Sequence, residues 1–297
     1  MAQRDDWRPL YPFASRELLL GGQRCHYVDE GDGDVLLLVH GNPTWSFYWR
    51  EIIRALRDRY RVIAVDNIGC GLSAKPSPRD YSFRLAQRVA DLNELIEKLD
   101  LRKITLVAHD WGGGIGMGAA VAAPDRFARF VLMNTAAFRA PKCPWAINLC
   151  RLPGFGPVAV QGLNLFVRRA LKTTVCKPER LTPAVRAGYL APYDTWANRA
   201  AVLRFVLDIP MSASHPTFQT LIDIENGLPQ FAGRPICLFW GMQDWCFTPA
   251  FLDRFLEYFP RAEVHRLANA GHYIVEDAHE QIAPLMANFL ERHPIPT

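Results

Sequence analysis

Ile104-Thr-Leu-Val-Ala-His-Asp-Trp-Gly-Gly-Gly113 is an apolar, β-branched run that ends abruptly on a carboxylate and passes straight into a glycine-rich stretch. The pattern reads as a buried strand turning sharply into a helix. Small residues on either side of the bend, here Ala108 and Gly112, let the chain turn tightly and hold the middle side chain up in an exposed, strained position. Asp110 occupies that nucleophile position. Its chemistry follows from its residue type: a carboxylate oxygen displacing a leaving group from an sp3 carbon makes an alkyl ester, which water can cleave at the Asp carbonyl carbon. Attack on an ester or amide would instead give an anhydride. The helix that begins after Asp110 aims its positive end and free N–H groups at the site, which favours negative charge there. An Asp in this place also serves as an ordinary helix N-cap, so the reading depends on the rest of the chain.

Upstream, residues 16–30 alternate as a hairpin turning at Gly21-Gly22, and Val35-Leu-Leu-Leu-Val39 is a short all-apolar run, as expected of a strand covered on both faces. It ends at His40-Gly-Asn-Pro-Thr44. The spacing of Trp49, Ile52, Ile53 and Leu56 predicts a helix over 47–60, followed by a strand over 62–65. Asp66-Asn-Ile-Gly-Cys-Gly-Leu-Ser73 closes that strand; it lacks the third glycine and the following helix of a phosphate loop, so it reads as a turn and no nucleotide is expected. A helix over 83–99, the strand leading to Asp110 and a strand over 127–133 complete a strand–helix repetition that implies a mostly parallel sheet with right-handed crossovers. From 139 to 229 the texture changes to proline and glycine punctuation with helical spacing, read as a helical cap inserted into an α/β core formed by 1–138 and 230–297. Strands resume at 235–240 and, weakly, at 262–267, and a helix over 280–291 ends the fold.

The chain has 297 residues, 49% hydrophobic and 22% charged, enough for one large core plus an insertion. Its 34 basic and 30 acidic residues are too balanced and dispersed to suggest a nucleic-acid partner. A small apolar substrate and water are the expected partners, with self-association an open possibility. The start, Met-Ala-Gln-Arg-Asp-Asp-Trp-Arg, has no signal-peptide character, and no stretch reaches membrane-spanning length, so a cytoplasmic location is expected. Cysteines 25, 70, 143, 150, 176, 237 and 246 show no C-x-x-C pair or metal spacing and read as reduced thiols; no metal or cofactor is expected.

Asp110, Asp244 after Gly241-Met-Gln, and His272 after Asn269-Ala-Gly all fall at strand ends. Alone, Asp244 reads equally as a turn-former and His272 as a core histidine. Together they follow the α/β-hydrolase order of nucleophile, acid and base. His40-Gly-Asn-Pro-Thr-Trp-Ser46, Asp66-Asn-Ile-Gly-Cys-Gly-Leu-Ser73, His109-Asp-Trp-Gly-Gly113 and Gly271-His-Tyr273 resemble the haloalkane dehalogenases of that fold, over essentially the whole chain. The resemblance implies that Asp110 attacks the halogen-bearing carbon, that His272 supported by Asp244 activates the hydrolytic water, and that Trp111 and Asn42 hold the departing halide through side-chain N–H groups. Such donors carry no lone pair aimed at the anion, and the backbone N–H groups of the same two residues would face the ester oxyanion.

Some members of that family place the acid as a Glu after the strand that here ends Val131-Leu-Met-Asn134, whereas this chain has Asn134 there and the acid at Asp244. That subgroup resembles the β-lactone decarboxylases of long-chain olefin formation, which keep the Asp, His and acid but open a strained lactone. Epoxide hydrolysis is a further alternative, since it needs cap tyrosines and Tyr189 and Tyr193 fall in the cap. A ligand receptor of hydrolase shape is disfavoured by the intact triad. The residues leave dehalogenation and lactone opening both standing.

Overall fold

A computed structural model describes residues 6–140 and 143–295. Eight strands form one sheet in the order β1-β2-β4-β3-β5-β6-β7-β8. They are β1 (Ser15–Leu20), β2 (Gln23–Glu30), β3 (Val35–Val39), β4 (Arg61–Val65), β5 (Ile104–Asp110), β6 (Phe127–Thr135), β7 (Ile236–Gly241) and β8 (Glu263–Leu267). The β1–β2 and β2–β4 pairs are antiparallel and the other five pairs are parallel. Ten α-helices accompany them among the described residues: α1 (Arg50–Leu56), α2 (Leu85–Lys98), α3 (Trp111–Ala122), α4 (Trp145–Leu149), α5 (Leu165–Thr173), α6 (Pro183–Leu190), α7 (Ala200–Leu207), α8 (Phe218–Gly227), α9 (Pro249–Tyr258) and α10 (Ile274–Arg292).

The all-apolar strands are doubly covered because side chains alternate across the sheet. Leu37 and Val39 of β3 pack into one hydrophobic core, and Leu36 and Leu38 into the other. Each such side chain contributes about 1.5–3 kcal/mol of transfer free energy on burial. That packing anchors β3 and β5 side by side at the centre, where the loop after β3 meets the bend from β5 into α3.

Two expected helices come out differently. The 47–60 segment divides into a 3-10 turn over Ser46–Trp49 and a shorter α1, because the buried Asp66 carboxylate accepts the Ser46 N–H at 2.7 Å and fixes where the helix starts. The last helix starts at Ile274, six residues earlier than expected, with a break at Ala278 (φ −147°). Asp277 is responsible: its carboxylate accepts from the Gly271, Cys176 and Lys177 N–H groups and pins the first turn to the preceding loop. The 66–73 loop folds around Asp66, which takes the Leu72 N–H at 2.8 Å, while the Lys75 ammonium donates to the Cys70, Gly71 and Ser73 carbonyls.

Between β6 and β7 the described residues contain helices and no strand. Of these, α8 sits against α2 and α3, with Ile224 in the core under the sheet. All seven cysteines are free, and among the described residues no helix is long and apolar enough to cross a membrane.

Candidate active site

Asp110 closes β5 with φ +53° and ψ −128°, a conformation outside the broadly allowed regions for a residue with a side chain. The bend is possible because α3 starts hard against the neighbouring strand. A Cβ on Gly112 would lie 2.0 Å from the Val39 carbonyl oxygen, so only glycine lets the helix approach this closely. The Asn42 N–H donates to Asp110 Oδ1 at 2.5 Å, and the Trp111 N–H donates to the same carboxylate. Two backbone donors, one from the loop after β3 and one from the first residue of α3, thus converge on the Asp110 carboxylate, the arrangement required to hold an ester carbonyl oxygen when it becomes an oxyanion.

His272 Nδ1 lies 2.9 Å from Asp244 Oδ2, and His272 Nε2 lies 3.7 Å from Asp110 Oδ2. All three side chains are buried. Asp244 therefore fixes the imidazole with Nδ1–H toward itself and Nε2 toward Asp110. Burial alone would lower the His272 pKa, but the Asp244 carboxylate, with help from Asp110, carries it above the ordinary imidazole value. Burial raises the Asp110 pKa, partly offset by His272 and the two N–H donors.

Asp110, His272, Asn42 and Trp111 all line one cavity of about 370 Å³. The remainder of its wall is mainly apolar, supplied by α4, α5 and α7 together with Phe138, Phe247 and Leu221. The Asn42 amide nitrogen donates to the Val202 carbonyl at 3.2 Å, which uses one of its two hydrogens. Asp244 lies just behind this wall, in contact with His272. Tyr189 and Tyr193 stand apart. Both are fully buried; the Tyr189 hydroxyl donates to Glu276 at 2.5 Å and the Tyr193 hydroxyl to the Thr44 carbonyl at 3.2 Å, and neither lines the cavity. The acids that epoxide opening needs are not supplied by these two residues.

Three supporting groups escape a reading of the sequence. Asn134 donates to Asp244 Oδ2 at 2.9 Å and exchanges bonds with Gly241, so the neutral residue on β6 clamps the loop that carries the acid. His109 stacks between Tyr48 and His272 and hydrogen-bonds the His272 carbonyl at 2.8 Å. Burial holds its pKa well below the ordinary value, so the ring is neutral and Nε2–H is the donor. Phe247 stacks on the other side of the His272 ring. Of the three, only Asn134 carries a sequence signal, the resemblance noted above that sets an acid at its position. Cys237, Glu263 and His265 are the sole group among the described residues with a metal-like arrangement. Glu263 there is already bonded to His265 and Arg292, and none of the three lines the cavity.

Gly41 packs against the Asp110 carboxylate itself. A Cβ at this position would fall 1.9 Å from Asp110 Oδ1 and 2.4 Å from its Cγ. Gly41→Ala is therefore expected to push the carboxylate off line and lower turnover by about 100-fold, the usual cost of a displacement near 1 Å. Circular dichroism would show the fold retained, and turnover within a few-fold of the unaltered chain would contradict the close approach.

The chain is similar over most of its length to known proteins. The family model described as the alpha/beta hydrolase fold matches residues 34–278. A cis-3-alkyl-4-alkyloxetan-2-one decarboxylase of Shewanella oneidensis is 42% identical over 285 residues, 95% of this chain and 89% of that protein. Haloalkane dehalogenase 2 of Mycobacterium tuberculosis is 37% identical over 280 residues, 92% of this chain and 94% of that protein. Among solved structures, the haloalkane dehalogenase DatA from Agrobacterium tumefaciens superposes with a TM-score of 0.86 at 28% identity, covering 95% of this chain and 97% of that one.

Proposed function

The chain belongs to the α/β-hydrolase fold family, as a haloalkane dehalogenase-like enzyme, and from that premise we propose that it opens and decarboxylates a β-lactone bearing two alkyl arms, with Asp110 as nucleophile. The observation that carries the reading is a buried carboxylate at the wall of an apolar cavity of about 370 Å³, in a chain 42% identical to an alkyl-oxetanone decarboxylase. In this reading an Asp110 oxygen attacks the sp3 ring carbon that bears the ring oxygen. The C–O bond breaks and its electron pair becomes the freed carboxylate, leaving an alkyl ester on Asp110. The bond between that carboxylate and the neighbouring carbon then breaks, its pair forms the alkene, and the Asp110 oxygen leaves with the ester pair. Carbon dioxide, alkene and the original carboxylate are the products, and no water is consumed. Inversion at the attacked carbon followed by anti elimination keeps a cis ring's geometry as a cis alkene.

A second reading, hydrolytic dehalogenation, is favoured by Asn42 and Trp111, whose side chains line the cavity beside Asp110. Here the Asp110 ester has no internal way out, and His272 must take a proton from water. The helical segment 139–229 would act as the cap over either substrate. A synthetic cis-dialkyl β-lactone and 1,2-dibromoethane, supplied separately, test the choice. Alkene and carbon dioxide from the lactone with little bromide release supports the first reading. Bromide release with no alkene overturns it in favour of the second.

The two routes also differ in pH dependence. Hydrolysis of the ester needs neutral His272, whose pKa is raised above the ordinary imidazole value by Asp244, so dehalogenation is lost as pH falls through that raised pKa. Decarboxylation needs only an ionised Asp110, whose pKa is raised from a much lower starting value, so its limb is expected further toward acid. Profiles measured on both substrates should therefore separate, and coincident acid limbs would contradict the division of roles.

A further inference from the structure

Five exposed apolar residues of the helical segment, together with Trp245 after β7, border the active-site cavity. Trp145 is 74% exposed, Leu149 37%, Phe155 43%, Leu165 46%, Met211 43% and Trp245 40%, and all six also line the active-site cavity. Side chains that are at once outside and inside mark the mouth. A contiguous apolar rim on a chain with an otherwise mixed surface signals an interaction site.

The segment that carries most of this rim has charge of one sign. No Asp or Glu occurs from 126 to 178, while 139–178 holds Arg139, Lys142, Arg151, Arg168, Arg169, Lys172 and Lys177. On α5, Leu165 and Arg169 both stand at the rim, and the exposed Arg168 and Lys172 flank them. None of these three cations has a carboxylate partner among the described residues, whereas Arg139 is paired with Glu225. A second copy of the chain would bring these same cations face to face across a two-fold axis, which opposes self-pairing.

We infer that this rim docks on an anionic lipid bilayer, with the cavity mouth opening onto the membrane surface. Tryptophan and leucine side chains enter the interface while Arg168, Arg169 and Lys172 meet the lipid phosphates, the combination that holds peripheral proteins at a membrane. An apolar substrate dissolved in the bilayer then reaches Asp110 without crossing water. The inference holds for either substrate reading, because it rests on the mouth and not on the chemistry inside.

Flotation of the full chain with vesicles tests it. With phosphatidylcholine containing about 30 mol % phosphatidylglycerol, the chain is expected to float about tenfold more than with phosphatidylcholine alone, and added salt should release it. The double variant Arg168→Glu with Lys172→Glu should lose about tenfold in binding, yet turn over a short, water-dispersed substrate normally, since neither residue lines the cavity. Equal partition into both vesicles, unchanged binding by the double variant, insensitivity to salt, or a concentration-dependent dimer that excludes vesicles would each overturn the inference.

Discussion

Asp110→Asn is expected to remove alkene formation and halide release together, by a factor of about ten thousand or more, without unfolding the chain. A carboxamide keeps the shape of the side chain and its oxygen can still accept the Asn42 N–H, so the bend between β5 and α3 survives. What it lacks is the anionic oxygen that bonds to carbon in both routes. The sign of the stability change is also fixed. Burial raises the Asp110 pKa, so at neutral pH the folded chain holds an ionised group that it disfavours relative to the unfolded chain. Replacing that group with a neutral one of equal size should leave the melting temperature equal or higher. A variant that melts normally yet keeps more than about one hundredth of the activity would exclude Asp110 as the nucleophile.

His272→Ala is expected to divide the two activities. With a bromoalkane, displacement by Asp110 proceeds but the ester persists, so bromide appears as one burst per active site and sustained turnover falls by about a thousandfold or more. With a β-lactone, the ester leaves by loss of carbon dioxide, which needs no base, and alkene formation should continue at a reduced rate. The reduction comes from losing the positive partner 3.7 Å from Asp110, which lets burial hold more of the carboxylate protonated. Equal and complete loss of both activities would show that the imidazole takes part in the lactone route as well.

Much of this site was readable from residue order because its chemistry sits where strands end. The all-apolar run over 35–39 and the β-branched run over 104–108 mark central strands, and Asn42 and Asp110, which follow them, meet at 2.5 Å. Asp244 and His272 follow β7 and β8 and meet at 2.9 Å for the same reason. Contacts made across the sheet gave no such sign. Asn134 reads as a missing acid until its bond to Asp244 is seen, and His109 reads as a spacer until its ring is found between Tyr48 and His272. Periodicity located the helices between β6 and β7 but not their placement, so the burial of Tyr189 and Tyr193 away from the cavity had no sequence signal. The start of α10 has no local signal because Asp277 answers to N–H groups of a loop about 100 residues away.

The central claim is that a carboxylate at residue 110 bonds to a tetrahedral substrate carbon. It is tested most directly by treating His272→Ala with a bromoalkane, digesting the protein and weighing the peptide that carries Asp110. This peptide is expected to gain one alkyl group, no other peptide should do so, and bromide should be released in equal amount. Bromide release with the Asp110 peptide unmodified, or the alkyl group found on a different residue, would contradict it.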